Sequence, residues 1–139
     1  MDIIKLEGED RRLYDLVAHL VMNGKALAYN LNYPYRTSSN YNWFVATDGD
    51  GGILGFIPVK LGGGRAKINN YYVANDDSDV FSALLKELVD TLSPDYEIES
   101  VTQLRHISNF ECNRFTIVHY WKKYAKMKLK VSGDEEKRL

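Results

Sequence analysis

Three groups of side chains in this sequence have the types and spacing to do chemistry. Glu97 and Glu99 stand two residues apart, on one face of any strand that carries them, and His106 follows. A carboxylate or imidazole so placed can take a proton from a nucleophile, although solvent-facing glutamates and a surface histidine explain the same residues more simply. Asp76, Asp77 and Asp79 precede an apolar helical stripe. Carboxylates there accept hydrogen bonds from the first helical amides and complement the helix dipole, so they read as caps. Near the carboxy terminus, Lys122, Lys123, Lys126, Lys128 and Lys130 put five positive charges in nine residues, beside Tyr120, Trp121 and Tyr124. Basic residues interleaved with aromatics can hold a single nucleic-acid strand. Lysines at alternating positions are also an ordinary defence of a sheet edge, and that reading is preferred, with nucleic acid not expected as a partner. His19 and His119 lack neighbours at metal-ligand spacing, so no metal is expected. Cys112 carries no local sign of activation and reads as a small buried residue.

These groups must be positioned by a modest scaffold. A chain of 139 residues, 45% of them hydrophobic, suits one domain with one core. The expected division is a domain over residues 1–132 and a charged, mobile tail over residues 133–139. The formal charge of −1 argues against a protein that coats nucleic acid or an anionic membrane. A single cysteine asks for no oxidising compartment, and the amino terminus lacks the basic-then-apolar order of a signal peptide. The expectation is a soluble, cytoplasmic protein with no membrane span.

Hydrophobic periodicity supplies the elements. Residues 2–6 alternate as a short strand, and Leu13, Leu16, Val17, Leu20 and Val21 form a helical stripe that Gly24 stops. A short second helix leads into an irregular segment rich in Tyr and Asn. Strands are expected over residues 41–47, 53–60 and 65–73, because Asp48-Gly49-Asp50-Gly51-Gly52 and Gly62-Gly63-Gly64 suit hairpin turns. Pro58 removes a ladder donor, which predicts a bulge or an early end to pairing in the middle strand. Val80, Phe81, Leu84, Leu85, Leu88, Val89 and Leu92 predict a helix that Ser93-Pro94 ends. A strand over residues 97–104 follows, then a helix over residues 111–125 carrying Ile117, Val118, Trp121, Tyr124 and Ala125 on one face. Met127, Leu129 and Val131 then alternate with lysines as a closing strand.

The order strand, two helices, three strands, helix, strand, helix, strand resembles that of the GNAT N-acetyltransferase superfamily. Four pieces carry the resemblance: Leu54-Gly55-Phe56, similar to the family's central strand; Ile68-Asn69-Asn70-Tyr71-Tyr72-Val73, similar to the next; Ser82-Ala83-Leu84-Leu85, similar to the following helix; and Asn113 with Tyr120 seven residues on. The fold so implied is α/β (α+β), a mixed, mostly antiparallel sheet flanked by helices, with a splayed parallel pair of strands centred on Tyr72 and Val73. The resemblance implies an acyl-coenzyme A dependent N-acyltransferase with acetyl-coenzyme A as cofactor and an amine acceptor. The pantetheine would run along Asn70, Tyr71, Tyr72 and Val73, with Asp77, Ser78 and Asn113 also at the cofactor. Tyr120 would protonate the leaving thiolate, and Tyr35 and Arg36 would meet the acceptor. The chain departs from the family at one place: Ala74-Asn75-Asp76-Asp77-Ser78-Asp79 stands where a glycine-rich basic loop of the form Gln/Arg-x-x-Gly-x-Gly/Ala is usual. That departure leaves open a non-catalytic protein of the same fold that has lost coenzyme A binding and acts in binding or interaction. A homodimer through sheet edges is a further expectation.

Overall fold

The computed structural model describes residues 1–130; the expected tail, and Val131 of the expected closing strand, lie outside the described residues. The elements are β1 (Asp2–Glu7), α1 (Arg11–Val21), α2 (Gly24–Tyr29), β2 (Tyr41–Thr47), β3 (Ile53–Gly62), β4 (Arg65–Ile68), β5 (Tyr72–Val73), α3 (Ser78–Leu92), β6 (Glu97–Gln103), α4 (Ile107–Glu111), β7 (Phe115–Tyr120) and β8 (Tyr124–Leu129). They build one sheet in the order β1-β2-β3-β4-β6-β8-β7, with β5 a second partner of β3. All pairings are antiparallel except β4 with β6.

The sheet buries different halves on its two faces. One face packs under α3, whose Phe81, Leu84, Leu85 and Leu88 meet Phe44, Ile57, Ile68, Val73, Ile98 and Met127 in the larger core. On the other face Trp43, Val45 and Phe56 pack with Leu13 and Val17 of α1. The central strands therefore bury both sides, as Trp43, Phe44, Val45 and Ala46 illustrate in unbroken sequence. Strands covered on both faces read as continuous apolar runs rather than alternations.

Turn chemistry explains the hairpins. Gly63 and Gly64 turn β3 into β4 with φ of 60° and 75°, in the left-handed region that costs glycine least. Gly55 serves a different purpose: a Cβ there would sit 2.6 Å from the Tyr72 carbonyl oxygen and 3.2 Å from the Val73 Cα, so only glycine lets β5 lie against β3.

Two expectations about the strands change. The single strand over residues 65–73 is two strands, because β4 ends with Ile68 opposite Val59 and β5 resumes with Tyr72 opposite Phe56. Three residues, Asn69, Asn70 and Tyr71, thus span the two positions Ile57 and Pro58. Pro58 still pairs with Trp43 of β2; the strand that carries it does bulge, but at Leu54, which is passed over between Gly55 opposite Ala46 and Ile53 opposite Thr47. The helix expected over residues 111–125 is instead the short α4 followed by the β7–β8 hairpin. Of the expected stripe, Ile117 and Val118 lie on β7 and Tyr124 and Ala125 on β8, where Ala125 joins Met127 and Leu129 of the expected closing strand in a buried alternation while Lys128 is exposed. Arg114, at φ 74°, turns the chain out of α4 into β7, and β-branched Thr116, Ile117 and Val118 favour the extended form.

Candidate functional site

Backbone pairing between β4 and β6 runs from Arg65 beside Glu97 to Ile68 beside Ser100 and then stops. Beyond that point β5 turns to β3, and β6 turns to β8, where Gln103 faces Tyr124. The two strands splay apart at their carboxyl ends, as the resemblance implies.

The wedge between them is filled by the chain itself. Tyr71 is 1% exposed, and its hydroxyl accepts a hydrogen bond from the Gln103 backbone N–H at 2.9 Å, doing the work of a ladder carbonyl. The same hydroxyl lies 2.8 Å from Nδ1 of His106, and Nε2 of His106 lies 2.8 Å from Oδ1 of Asp76. Tyr71 donates to Nδ1 and His106 donates from Nε2 to the carboxylate, an assignment that satisfies each atom. Tyr29 closes the network from α2. Its ring stacks on His106 with centroids 5.5 Å apart, its hydroxyl lies 3.2 Å from Nε2, and its backbone carbonyl accepts from the Gln103 side-chain amide at 2.8 Å. Arg105 holds the outer side through Asp76 at 3.3 Å and Gln103 at 2.8 Å, with its guanidinium 4.8 Å from the centre of the Tyr29 ring.

Burial and charge fix the protonation states. Burial pushes the Tyr71 and Tyr29 hydroxyls well above the ordinary phenol range, so both remain donors. Burial also lowers His106, against an opposing pull from Asp76, and keeps the imidazole neutral. Burial alone would raise Asp76; hydrogen bonds from Tyr29 and His106 and the Arg105 charge outweigh it and hold the carboxyl below its usual value. Among the described residues no buried side-chain nitrogen or oxygen lacks a partner.

The loop leading into α3 is also occupied from within. Asn75 and Asp76 adopt φ of 58° and 51°, a left-handed path of the kind glycine follows freely. The expected caps divide their labour: Asp76 turns inward to His106, while the Asp77 carboxylate accepts from the amides of Asp79 at 2.9 Å and Val80 at 3.2 Å. A helix amino terminus attracts anions through its free amides and dipole. Here a carboxylate of the chain already sits on those amides, and a diphosphate would meet Asp76, Asp77 and Asp79. These residues do not fit the pyrophosphate of coenzyme A.

The residues singled out in the sequence lie as follows. Tyr71 and Val73 are buried on the α3 side, and Tyr72 packs on the other side against Phe56 and Tyr29. Asn70 reaches the Pro34 carbonyl at 3.5 Å, and Ser78 opens α3 on the surface. Asn113 donates to the Asn109 carbonyl at 2.8 Å and approaches Ser82 of α3 at 3.4 Å. Tyr35 donates to the Ala26 carbonyl at 2.9 Å and lies 3.3 Å from that of Tyr71, so its hydroxyl braces the wedge; Arg36 is exposed. Tyr120 stands at the end of β7, 62% exposed, rather than on a helix. Glu97 faces solvent and Glu99 lies 3.8 Å from Lys67. His106 is not the surface group expected but the hub of the wedge, because Tyr71, Tyr29, Phe81 and Asp76 enclose it. Cys112 is exposed, since the chain turns outward after α4. Nothing local in the sequence marks Tyr29, Gln103 and Arg105 for these roles; the polar run Gln103, Arg105, His106 after an apolar strand is their one trace.

No protein-family model and no curated protein matches the sequence. Solved structures do match. Escherichia coli ElaA superposes with a TM-score of 0.74 at 11% identity, over 94% of this chain and 100% of that one. An acyl-CoA N-acyltransferase from Pseudomonas aeruginosa gives 0.70 at 15%, over 94% and 100%. The PaiA N-acetyltransferase from Thermoplasma acidophilum, solved in complex with coenzyme A, gives 0.61 at 15%, again over 94% and 100%. At these identities the likeness shows the fold: this chain shares the overall fold of these structures, the GNAT-like fold that the resemblance implies.

Proposed function

We propose that this protein is a non-catalytic binding protein built on the GNAT fold, one that does not hold coenzyme A in the manner of the family. The observation that carries this reading is Asp77, whose carboxylate takes the two α3 amides a pyrophosphate would need. The filled wedge supports it independently: the only imidazole there is buried and its hydrogen bonds end on Tyr71 and Asp76, leaving no lone pair for a substrate proton. Isothermal calorimetry with acetyl-coenzyme A tests it. The expected result is binding no tighter than about 1 mM, and micromolar binding by the wild-type protein overturns the reading.

A second reading, an acyl-coenzyme A dependent N-acyltransferase, draws on the splay and on the glycine-like path of Asn75 and Asp76. It requires Asp77 to leave the α3 amides and Tyr71 to leave the wedge. Coenzyme A would then run along Asn70 to Val73 beside Ser78 and Asn113, with the acceptor at Tyr35 and Arg36 and Tyr120 as proton donor. On this reading Tyr120→Phe slows acyl transfer; unchanged turnover removes Tyr120 from the mechanism.

A further inference from the structure

We propose that the open face of the carboxy-terminal half of the sheet binds single-stranded nucleic acid through its phosphates. Register defines the face. Lys60 of β3 stands opposite Lys67 of β4, Lys67 beside Glu99 of β6, Glu99 opposite Lys128 of β8, and Lys128 opposite Thr116 of β7. Directly paired residues project to the same side of a sheet, so these form one row. The next row carries Val101, Lys126 and His119. Their strand neighbours Val59, Ile68, Ile98 and Met127 are buried on the α3 side, so both rows point away from α3. Over β2 and β3 that second side lies under α1. Over β4 and β8 it stays open, with Arg65, Lys67 and Lys128 exposed.

The surface there is grooved and positive. A groove of about 260 Å³ is lined by Lys60, Gly62, Arg65, Lys67 and Asn69 together with Leu61. Beyond it a slight hollow of about 20 Å³, lined by Lys67, Asn69, Val101 and Lys126 and also by Glu99, leaves a shallow track across β3, β4, β6 and β8. Lys67 has an ion-pair partner, Glu99 at 3.8 Å; among the described residues Lys60, Arg65, Lys126 and Lys128 have none. Glu97 and Glu99 are the opposing acids within the field. Four strands at ~4.8 Å spacing set the track at roughly 14 Å, a length over which several phosphates of one strand can be met. At its far edge the His119 and Trp121 ring centroids lie 5.2 Å apart, and the exposed Trp121 offers an aromatic face for a base. Cations spread in rows across four strands, with the aromatics at one border, suit a linear polyanion. A membrane surface would ask for an apolar wedge among the cations. None of these residues lies in the wedge or the α3 loop, so the proposal stands apart from the coenzyme A reading.

Fluorescence anisotropy with a labelled oligothymidylate of about twelve nucleotides at about 50 mM salt tests it. Binding near 10 µM is expected, as an order of magnitude for a few partly opposed cations. Four or five neutralised phosphates on a single strand predict a log–log salt slope of about −3. The Lys126→Gln/Lys128→Gln double variant should bind at least ~5-fold more weakly, with a slope shallower by about 1.4. Lys86→Gln, on α3 and paired with Asp90, should bind like wild type. Circular dichroism checks the fold, and Lys60→Gln/Lys67→Gln replaces the first double variant if that one does not fold. Absent binding, salt-insensitive binding, wild-type affinity in the folded double variant, or capture by phosphatidylserine vesicles without oligonucleotide binding would each overturn the proposal.

Discussion

Around His106 each polar atom ends on another atom of the chain, whereas across the open face of β4 and β8 most cations end in solvent. The two regions lie on the same strand, β6, a few residues apart. Gln103 at its carboxyl end is 3% exposed and bonded to Tyr71, Tyr29 and Arg105, while Glu97 at its amino end faces water. A buried polar group left without a partner costs about 1–3 kcal/mol, so the splay, once closed to solvent, has to be satisfied from within. An exposed lysine carries no such demand. It keeps its charge for whatever arrives. Polar residues in the wedge therefore contribute to stability, and those on the open face contribute to recognition.

The comparison breaks first, and most visibly, if the wedge is not a core. Phe81 is fully buried and its ring meets Tyr71, His106 and Phe110; Phe81→Ala should cost about 3–5 kcal/mol in urea denaturation. Tyr71→Phe removes one oxygen but strands the Gln103 amide and Nδ1 of His106, with an expected loss of about 1–3 kcal/mol. A loss under about 0.5 kcal/mol would mean that water replaces the hydroxyl and that the wedge is open.

His106 sharpens the contrast through pH. Burial depresses its folded value below the ordinary 6.5, so the unfolded chain binds the proton first as pH falls. The stability this neutral imidazole contributes is complete above the unfolded value and is lost as pH drops through it toward the folded one. Denaturation midpoints should therefore hold steady above about pH 7 and fall as the pH drops below about 6.5. That fall should shrink in His106→Gln, whose amide does not titrate. The smallest effect belongs to the open face: Lys126→Gln should change stability by no more than about 0.5 kcal/mol. A larger loss would move that lysine to the structural side of the comparison.

Legibility in the sequence follows the same division. The β2–β3–β4 meander and α3 could be read directly, because their glycine turns and a seven-residue apolar stripe are local signals. The splay could be anticipated only from the resemblance. The β7–β8 hairpin was hidden because Ile117, Val118, Trp121 and Tyr124 fit a helical period as well as a strand; the buried alternation of Ala125, Met127 and Leu129 decides it in three dimensions. His106 reads as a surface group in the sequence because nothing local predicts what encloses it. Its partners Tyr29, Tyr71 and Asp76 lie 77, 35 and 30 residues away. The lysines of the open face were visible as a run, but their alignment with Lys60 and Lys67 depends on a parallel register that no local pattern encodes.

That lone parallel seam also bears on how the chain assembles. On one side of it β2, β3 and β4 can form as a meander, and on the other β7 and β8 as a hairpin, each between close sequence neighbours, whereas β1 and β6 join their antiparallel partners across longer stretches of chain. Joining Ile68 to Ser100 must wait until α3 has crossed over and docked, and such closures are intrinsically slow. Truncating Leu84 should therefore retard refolding, whereas truncating Ile117 in the outermost strand should chiefly hasten unfolding. Stopped-flow measurements on the two variants would locate the rate-limiting event at the crossover.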